Sequence, residues 1–349
     1  MRQIRLSIVG FGTVGRWLAA AIDRRHAWLE AECGVYVSVV SVATRRDGFI
    51  HRDAGFEIPA LLELASARRS LGDYPGTRRW ETALEGLAMT GCDVLAEASN
   101  TNPREPEPAL SHIRHALERG THVITSSKGA CAAAALELSA LARQRGVQFR
   151  MESTVMSSIP VLSTIREGLA GTRVVAVRGI LNGTANYILT LMAGGLDYAA
   201  ALADAQAQGY AEPDPTDDVE GHDVIAKVRI LATVAFGHAL TLDQVIQRGI
   251  TGISLDTVQQ AVRDGHRIKF VAMLRSHSED DMAGSDSPRL EARVEPQALP
   301  LTDPLARVEG VMNALTIQTD TVREVTIIGP GAGPEQARQG MFADLVALA

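Results

Sequence analysis

A chain of 349 residues, 46% apolar, with 34 Lys and Arg against 41 Asp and Glu and a formal charge of −7, is long enough for two joined cores. The acidic balance excludes a nucleic-acid partner gripped through a general electrostatic footprint. Three scattered cysteines, Cys33, Cys92 and Cys131, exclude a disulfide framework or a CxxC metal site, and neither a signal-peptide core nor a run of bilayer length is found, so a cytoplasmic protein with a small-molecule substrate and no membrane partner is expected.

Residues 4–9, IRLSIV, form a β-prone run that breaks into Gly10-Phe11-Gly12-Thr13-Val14-Gly15 and then a helical stretch, RWLAAAIDRR. A dinucleotide fingerprint needs that order. The first glycine makes the tight turn, the second lets a pyrophosphate approach the backbone, and the third lets helix and strand pack closely, with the helix N–H groups facing the phosphates. The second strand, 35–44, ends in Thr44, Arg45 and Arg46 where an acidic residue would hold the ribose hydroxyls of NAD. With no carboxylate there to repel a 2′-phosphate and two guanidiniums to grip it, NADP(H) is preferred over NAD(H). Two alternatives stay open, a solvated loop and an Asp47 that reaches a ribose. Further β-prone runs at 93–99, 121–126 and 147–152, with helical stretches at 106–119 and 131–145 between the later ones, predict parallel strands joined by crossovers. The fold class expected is α/β, a Rossmann-type doubly wound parallel sheet over residues 1–151.

The pattern changes after residue 152. A helix-period stretch, IPVLSTIREGLAG (159–171), leads to the β-prone TRVVAVRGIL (172–181), then to helical runs at 182–193, 197–208 and 219–237 and β-like segments near 268–275, 289–296 and 313–328. This reads as a second, α+β domain over 152–328. The polar stretch 275–289 reads as a surface hairpin loop, and 329–349 as a glycine turn followed by a helix returning to the first domain.

The run YAEPDPTDDVEGHDVIAKVRIL (210–231) packs six carboxylates around one lysine. Asp217 and Glu220 have a capping-box-like spacing and suit the positive end of a helix dipole. Capping does not explain Asp223 and Lys227. On a helix from about residue 219, positions 220, 223 and 227 share a face beside an apolar stripe of Val224, Val228, Leu231 and Ala235. Exposed, an i,i+4 Asp–Lys pair contributes roughly a few tenths of a kcal/mol. In a cleft, the same carboxylate would hold the ammonium charged, as a proton donor to a carbonyl oxygen requires. Spacing alone leaves both readings open.

The chain resembles the homoserine dehydrogenases. GILNGTANYIL (179–189), AQAQGYAEPDPTDDVEGHDVIAKVRIL (205–231), GPGAG (329–333), the glycine turn and TSSKGA (125–130) carry the resemblance along nearly the whole chain. It implies NAD(P)H-dependent reduction of L-aspartate 4-semialdehyde to L-homoserine on the route to threonine, methionine and isoleucine. It also implies a homodimer whose second domain serves catalysis and dimerisation. Carried over residue by residue, Lys227 is the proton donor, Asp223 the aspartate beside it, and Lys128 a lysine reaching both substrate and nicotinamide. Glu212 holds the substrate's ammonium group, which needs a carboxylate partner once desolvated. Asp218 lines the pocket that Gly179, Asn182, Gly183 and Thr184 shape. Ser99 and Asn100 touch the nicotinamide part, and Gly333 lies near the cofactor.

The resemblance further implies a monovalent cation such as Na+ on backbone carbonyls near Glu152, Val155, Ser157 and Ile159. Here the chain departs from the commonest pattern, with Met156, Ser157 and Ser158 in place of glycines. Carbonyl ligation survives that change only if the backbone keeps torsions that favour glycine. SSK likewise replaces the more usual Ala-Asn before the lysine, and no carboxy-terminal ligand-binding regulatory domain is expected. Two rival readings follow: an oxidoreductase of the same build acting on another amino-acid semialdehyde, and a catalytically silent NADP-binding sensor.

Overall fold

The structure, a computed structural model, describes residues 1–99, 105–277, 290–331 and 336–349. It divides into two compact units, Met1–Thr154 with Ala337–Ala349, and Val155–Gln336.

The first unit is built on a seven-stranded sheet, β1 (Arg2–Val9), β2 (Val35–Thr44), β3 (Gly48–His51), β4 (Arg78–Trp80), β5 (Val94–Glu97), β6 (His122–Thr125) and β7 (Phe149–Arg150), in the order β4-β3-β2-β1-β5-β6-β7. The five strands read from the sequence pair in parallel. Their crossovers include α1 (Thr13–Arg24), α2 (His26–Cys33), α3 (Ile58–Ser66), α4 (Ala83–Met89), α5 (Ala109–Glu118) and α6 (Lys128–Arg145). The antiparallel edge formed by β3 and β4 is an addition. Its strands have four and three residues, too short for an alternation to register, and the chain enters β3 through Gly48 at φ +69°. β1 sits centrally with β2 on one side and β5 on the other, the strand-order reversal beside which dinucleotides bind in such sheets. Its core gathers Leu6, Ile8, Leu18, Ile22 and Ile124 with Met341, Phe342 and Leu345 from the last helix, α13 (Gln336–Val346).

The second unit opens with a single turn, α7 (Val161–Ser163), running into a π-helical stretch over 164–168. Its sheet comprises β8 (Val174–Ile180), β9 (Val245–Gln247), β10 (His266–Ser276), β11 (Leu290–Pro300), β12 (Met312–Thr319) and β13 (Arg323–Pro330), ordered β13-β12-β8-β10-β11-β9. It is antiparallel apart from the β11–β9 pair. The β-like segment expected at 313–328 is thus a hairpin of β12 and β13, and the tip of the loop expected at 275–289 lies outside the described residues. Helices α8 (Gly183–Ala193), α11 (His222–Phe236) and α12 (Leu255–Arg263) pack on β10, while α9 (Tyr198–Ala207) and α10 (Thr216–Val219) connect them. Among the described residues no helix is long and apolar enough to cross a membrane.

One polar knot lies in this second core. Lys269 on β10 is buried, and its ammonium donates to the Val308 carbonyl at 2.5 Å and to Asn186 Oδ1 at 3.3 Å. The Asn186 amide donates in turn to the carbonyls of Val308, Gly310 and Met312, strapping that loop onto α8 and β10. Burial pushes the Lys269 ammonium down from 10.5 to about 8, with Glu309 opposing and Arg267 reinforcing the shift. Between those two values the unfolded chain holds a proton that the folded chain has lost, so the contribution of Lys269 to stability rises with pH across the window. Melting curves of wild type and Lys269→Met should therefore diverge in favour of wild type from about pH 8 to 10.5. A constant difference would refute this.

Candidate active site

The acidic run folds as two helices rather than one. Residues 216–219 make the single turn α10, and Gly221 at φ +88° breaks it from α11. A Cβ at Gly221 would come within 2.7 Å of the Phe270 ring, so a side chain is refused twice, by torsion and by space. The expected capping box is therefore a correction. Neither helix takes a side-chain cap, Asp217 bonds His222 at 3.1 Å, and Glu220 ends α10 with its carboxylate on the Thr251 hydroxyl at 2.6 Å.

The break brings acids from both helices onto one amide. Asn182 caps α8 through Oδ1, which accepts from Ala185 N–H at 2.8 Å, and its Nδ2 donates to Asp218 at 2.6 Å and to Asp223 at 3.3 Å. Two carboxylates thus share a single amide donor group, which moderates their mutual repulsion. Lys227 lies one turn beyond Asp223, at 2.7 Å from its carboxylate and 2.5 Å from the Leu181 carbonyl. Lys227 is 9% and Asp223 8% exposed, so this is a largely desolvated pair and not a solvated helix face.

The other predicted residues of this unit divide by position. Thr184 donates its hydroxyl to the Tyr210 carbonyl at 2.7 Å, tying the start of the acidic run to α8, and Gln206 holds the Glu212 carbonyl at 3.1 Å. The Glu212 side chain itself is exposed, outside the lysine cluster. Gly183 is the first, buried residue of α8. Gly179 has a packing role: a Cβ there would meet the Ala314 carbonyl at 2.7 Å and Leu315 at 2.8 Å, so its absence lets β12 pair with β8.

In the first unit the glycine turn closes as its spacing requires. Gly10, at φ +93°, presses on the end of β5, where a Cβ would lie 2.3 Å from the backbone of Ala98 and Ser99. Gly15 backs onto the Gly10 carbonyl, where a Cβ would lie at 2.4 Å, while a Cβ on Gly12 would meet nothing within 4 Å. Phe11 is buried in the core, Val14 packs against it, and Thr13 opens α1, whose N-terminus takes no side-chain cap. Open space over Gly12 beside uncapped N–H groups fits a pyrophosphate.

Both halves match known proteins. Residues 10–152 match the family model described as "Homoserine dehydrogenase, NAD binding domain", and residues 160–346 that described as "Homoserine dehydrogenase". The chain belongs to the homoserine dehydrogenase family. It is 38% identical over 346 residues to the NAD(+)-dependent homoserine dehydrogenase of Pseudomonas canavaninivorans, covering 99% of this chain and 96% of that one. With the homoserine dehydrogenase of Methanocaldococcus jannaschii the figures are 32% over 340 residues, 97% and 96%. Among solved structures, a hyperthermophilic archaeal homoserine dehydrogenase in complex with NADPH superposes with a TM-score of 0.80 at 27% identity, covering 99% of this chain and 97% of that one. A homoserine dehydrogenase from Thiobacillus denitrificans gives 0.81 at 29%, covering 99% and 73%. The chain is thus an oxidoreductase.

Read as a homoserine dehydrogenase, the cofactor side shows three further features. Lys128 opens α6, where a cation opposes the helix dipole, a placement that helix electrostatics does not favour. Arg46 is committed within the fold: its guanidinium bonds Asp47 at 3.2 and 3.3 Å and the carbonyls of Arg68 and Arg69 at 3.0 and 2.5 Å. Burial would raise the Asp47 carboxyl, but hydrogen bonds from Arg46, Ser70 and Thr44 outweigh it and hold the group below its ordinary value. Asp47 therefore points inward, and of the two arginines, both exposed, only Arg46 is tied into this network. Asn100 and Gly333 lie outside the described residues.

Among the described residues no three His, Cys, Asp or Glu side chains gather in metal-binding range, so a cation would rest on carbonyls. Met156 and Ser157 adopt φ +56° and +60°, keeping a path that favours glycine at a cost of about 1–2 kcal/mol per residue. In the second unit the Val155, Ser157 and Ile159 segment is further shaped by Ile159 N–H on the Met156 carbonyl at 3.1 Å, and Val161 N–H on that of Ile159 at 2.8 Å. Glu152 belongs to the first unit, where its N–H donates to Asp344 at 2.8 Å.

Sequence reasoning missed two groups. The Leu181 carbonyl carries no side-chain signal at all. Glu97 did carry one, a lone charge closing an apolar strand.

Proposed function

We propose that this homoserine dehydrogenase interconverts L-aspartate 4-semialdehyde and L-homoserine, preferring NADP(H) to NAD(H), as a cytoplasmic homodimer in the synthesis of threonine, methionine and isoleucine. The observation that carries the catalytic part is the Lys227 ammonium, held by the Asp223 carboxylate and the Leu181 carbonyl in largely dry surroundings. An ammonium has three N–H donors. Two are engaged by these acceptors and fix the third, which Lys227 offers to the aldehyde oxygen.

Bound NADPH supplies the hydride. As negative charge develops on the oxygen, Lys227 stabilises it and hands over a proton, and Asp223 balances the charge of the lysine until that proton leaves. In the reverse direction Lys227 takes the hydroxyl proton of homoserine. Glu212, on a loop tethered by Thr184 and Gln206, meets the α-ammonium of the substrate, and Lys128 supplies a second positive charge. Carbonyls of the Val155–Ile159 segment would hold a monovalent cation. The second unit carries the dimer interface.

The deciding assay follows homoserine oxidation and aspartate-semialdehyde reduction with both cofactors. A longer or shorter semialdehyde turned over with higher kcat/KM would replace the substrate assignment, and NADPH binding without any turnover would favour the sensor reading. For the cofactor, Arg45→Ala should lower kcat/KM with NADPH by about 10-fold, the worth of one charge-assisted contact, and leave NADH unchanged. Equal losses with both would refute the role of Arg45.

A further inference from the structure

Glu97 closes a strand of Val, Leu and Ala, and none of it reaches solvent. A carboxylate so placed must be satisfied from within. Oε2 accepts from His112 Nδ1 on α5 at 2.8 Å, while Oε1 accepts from the Ser99 backbone N–H at 2.8 Å and also from the Ser99 hydroxyl. The Glu97 carbonyl is held by Thr125 Oγ1 at 3.0 Å and Ser126 N–H at 3.1 Å from the neighbouring strand. An apolar residue at 97 would fill the space without desolvating a carboxylate and an imidazole. What the carboxylate and imidazole achieve is the orientation of Ser99.

That orientation has a chemical consequence. A serine hydroxyl has one proton and two lone pairs. With the proton committed to Glu97, Oγ turns only lone pairs outward. Ser99 is half-buried against the Gly10 turn, where β1 and β5 end. We propose that Glu97, backed by His112, is a positioning residue that fixes Ser99 as a hydrogen-bond acceptor, and that it accepts from the carboxamide N–H of the nicotinamide ring. The proposal rests on reading the first unit as the nicotinamide-binding half.

The test compares binding of NADP+ and its 3-acetylpyridine analogue, whose ketone has no N–H, by displacement of NADPH fluorescence. Wild type should favour the carboxamide cofactor by about 10-fold, the worth of one hydrogen bond. Ser99→Ala should bring the ratio close to one. Glu97→Gln keeps the shape and can still accept from Ser99, but holds the hydroxyl less firmly without its charge, and should reduce the ratio to about 3-fold. A wild-type ratio in Ser99→Ala overturns the acceptor role. A wild-type ratio in Glu97→Gln, with or without a lower melting temperature, leaves Glu97 purely structural and overturns its positioning role. Wild type that binds neither NADPH nor NADH overturns instead the reading on which the proposal stands.

Discussion

Lys227→Gln is expected to lower kcat by about 10²–10⁴-fold in both directions, the range for loss of a positioned proton donor. Glutamine is the informative substitution because it keeps a polar head towards Asp223 and the Leu181 carbonyl. Methionine would strand a buried carboxylate, at a cost of about 3–5 kcal/mol, and confuse lost chemistry with lost folding. Initial rates with a melting curve on the same sample check the expectation. Wild-type rates in either direction would remove Lys227 from the mechanism.

The second large effect concerns the glycine turn. At Gly12 a methyl group meets no protein atom within 4 Å, so Gly12→Ala should fold as wild type does. It should nevertheless weaken cofactor binding by about 10–100-fold, because the methyl keeps phosphate oxygens from N–H groups whose charge-assisted bonds contribute about 1.5–3 kcal/mol each. Gly10→Ala is the contrast. Its methyl would lie 2.3 Å from the backbone of Ala98 and Ser99 in a positive-φ residue, so both stability and binding should fall. Titration with NADPH beside thermal melts separates the two. Equal melting losses in both variants would mean that Gly12 is a folding residue and not a phosphate seat.

These two sites differ in how far they could be read in advance. Gly10, Gly12 and Gly15 were legible because each answers a local demand, set by torsion or close approach within a few residues of chain. Asp223 and Lys227 were legible as a helical pair. Their burial was not, since an i,i+4 spacing is the same on a wet face as on a dry one. Asp217 and Glu220 show the reverse error, with a capping spacing present but the helix it would cap interrupted at Gly221. The arginines after β2 are equivalent in the sequence, yet Arg46 is occupied by Asp47 and by the carbonyls of Arg68 and Arg69 more than twenty residues away.

The strand-turn-helix that opens the chain, the alternation that makes a parallel sheet, and the pairing of Lys227 with a carboxylate are all local properties of the chain. Each depends on neighbours close in the chain, where periodicity and torsional preference act. Folding is what joins Asp218 to Asp223 through Asn182, brings the Lys227 ammonium to the Leu181 carbonyl, and lets Glu97 turn the Ser99 hydroxyl inward. Apart from Glu97 and Ser99, which are close in the chain but meet inside the fold, these partners lie 36 to 46 residues apart. What selects them is the need of each buried polar group for a partner once water is gone.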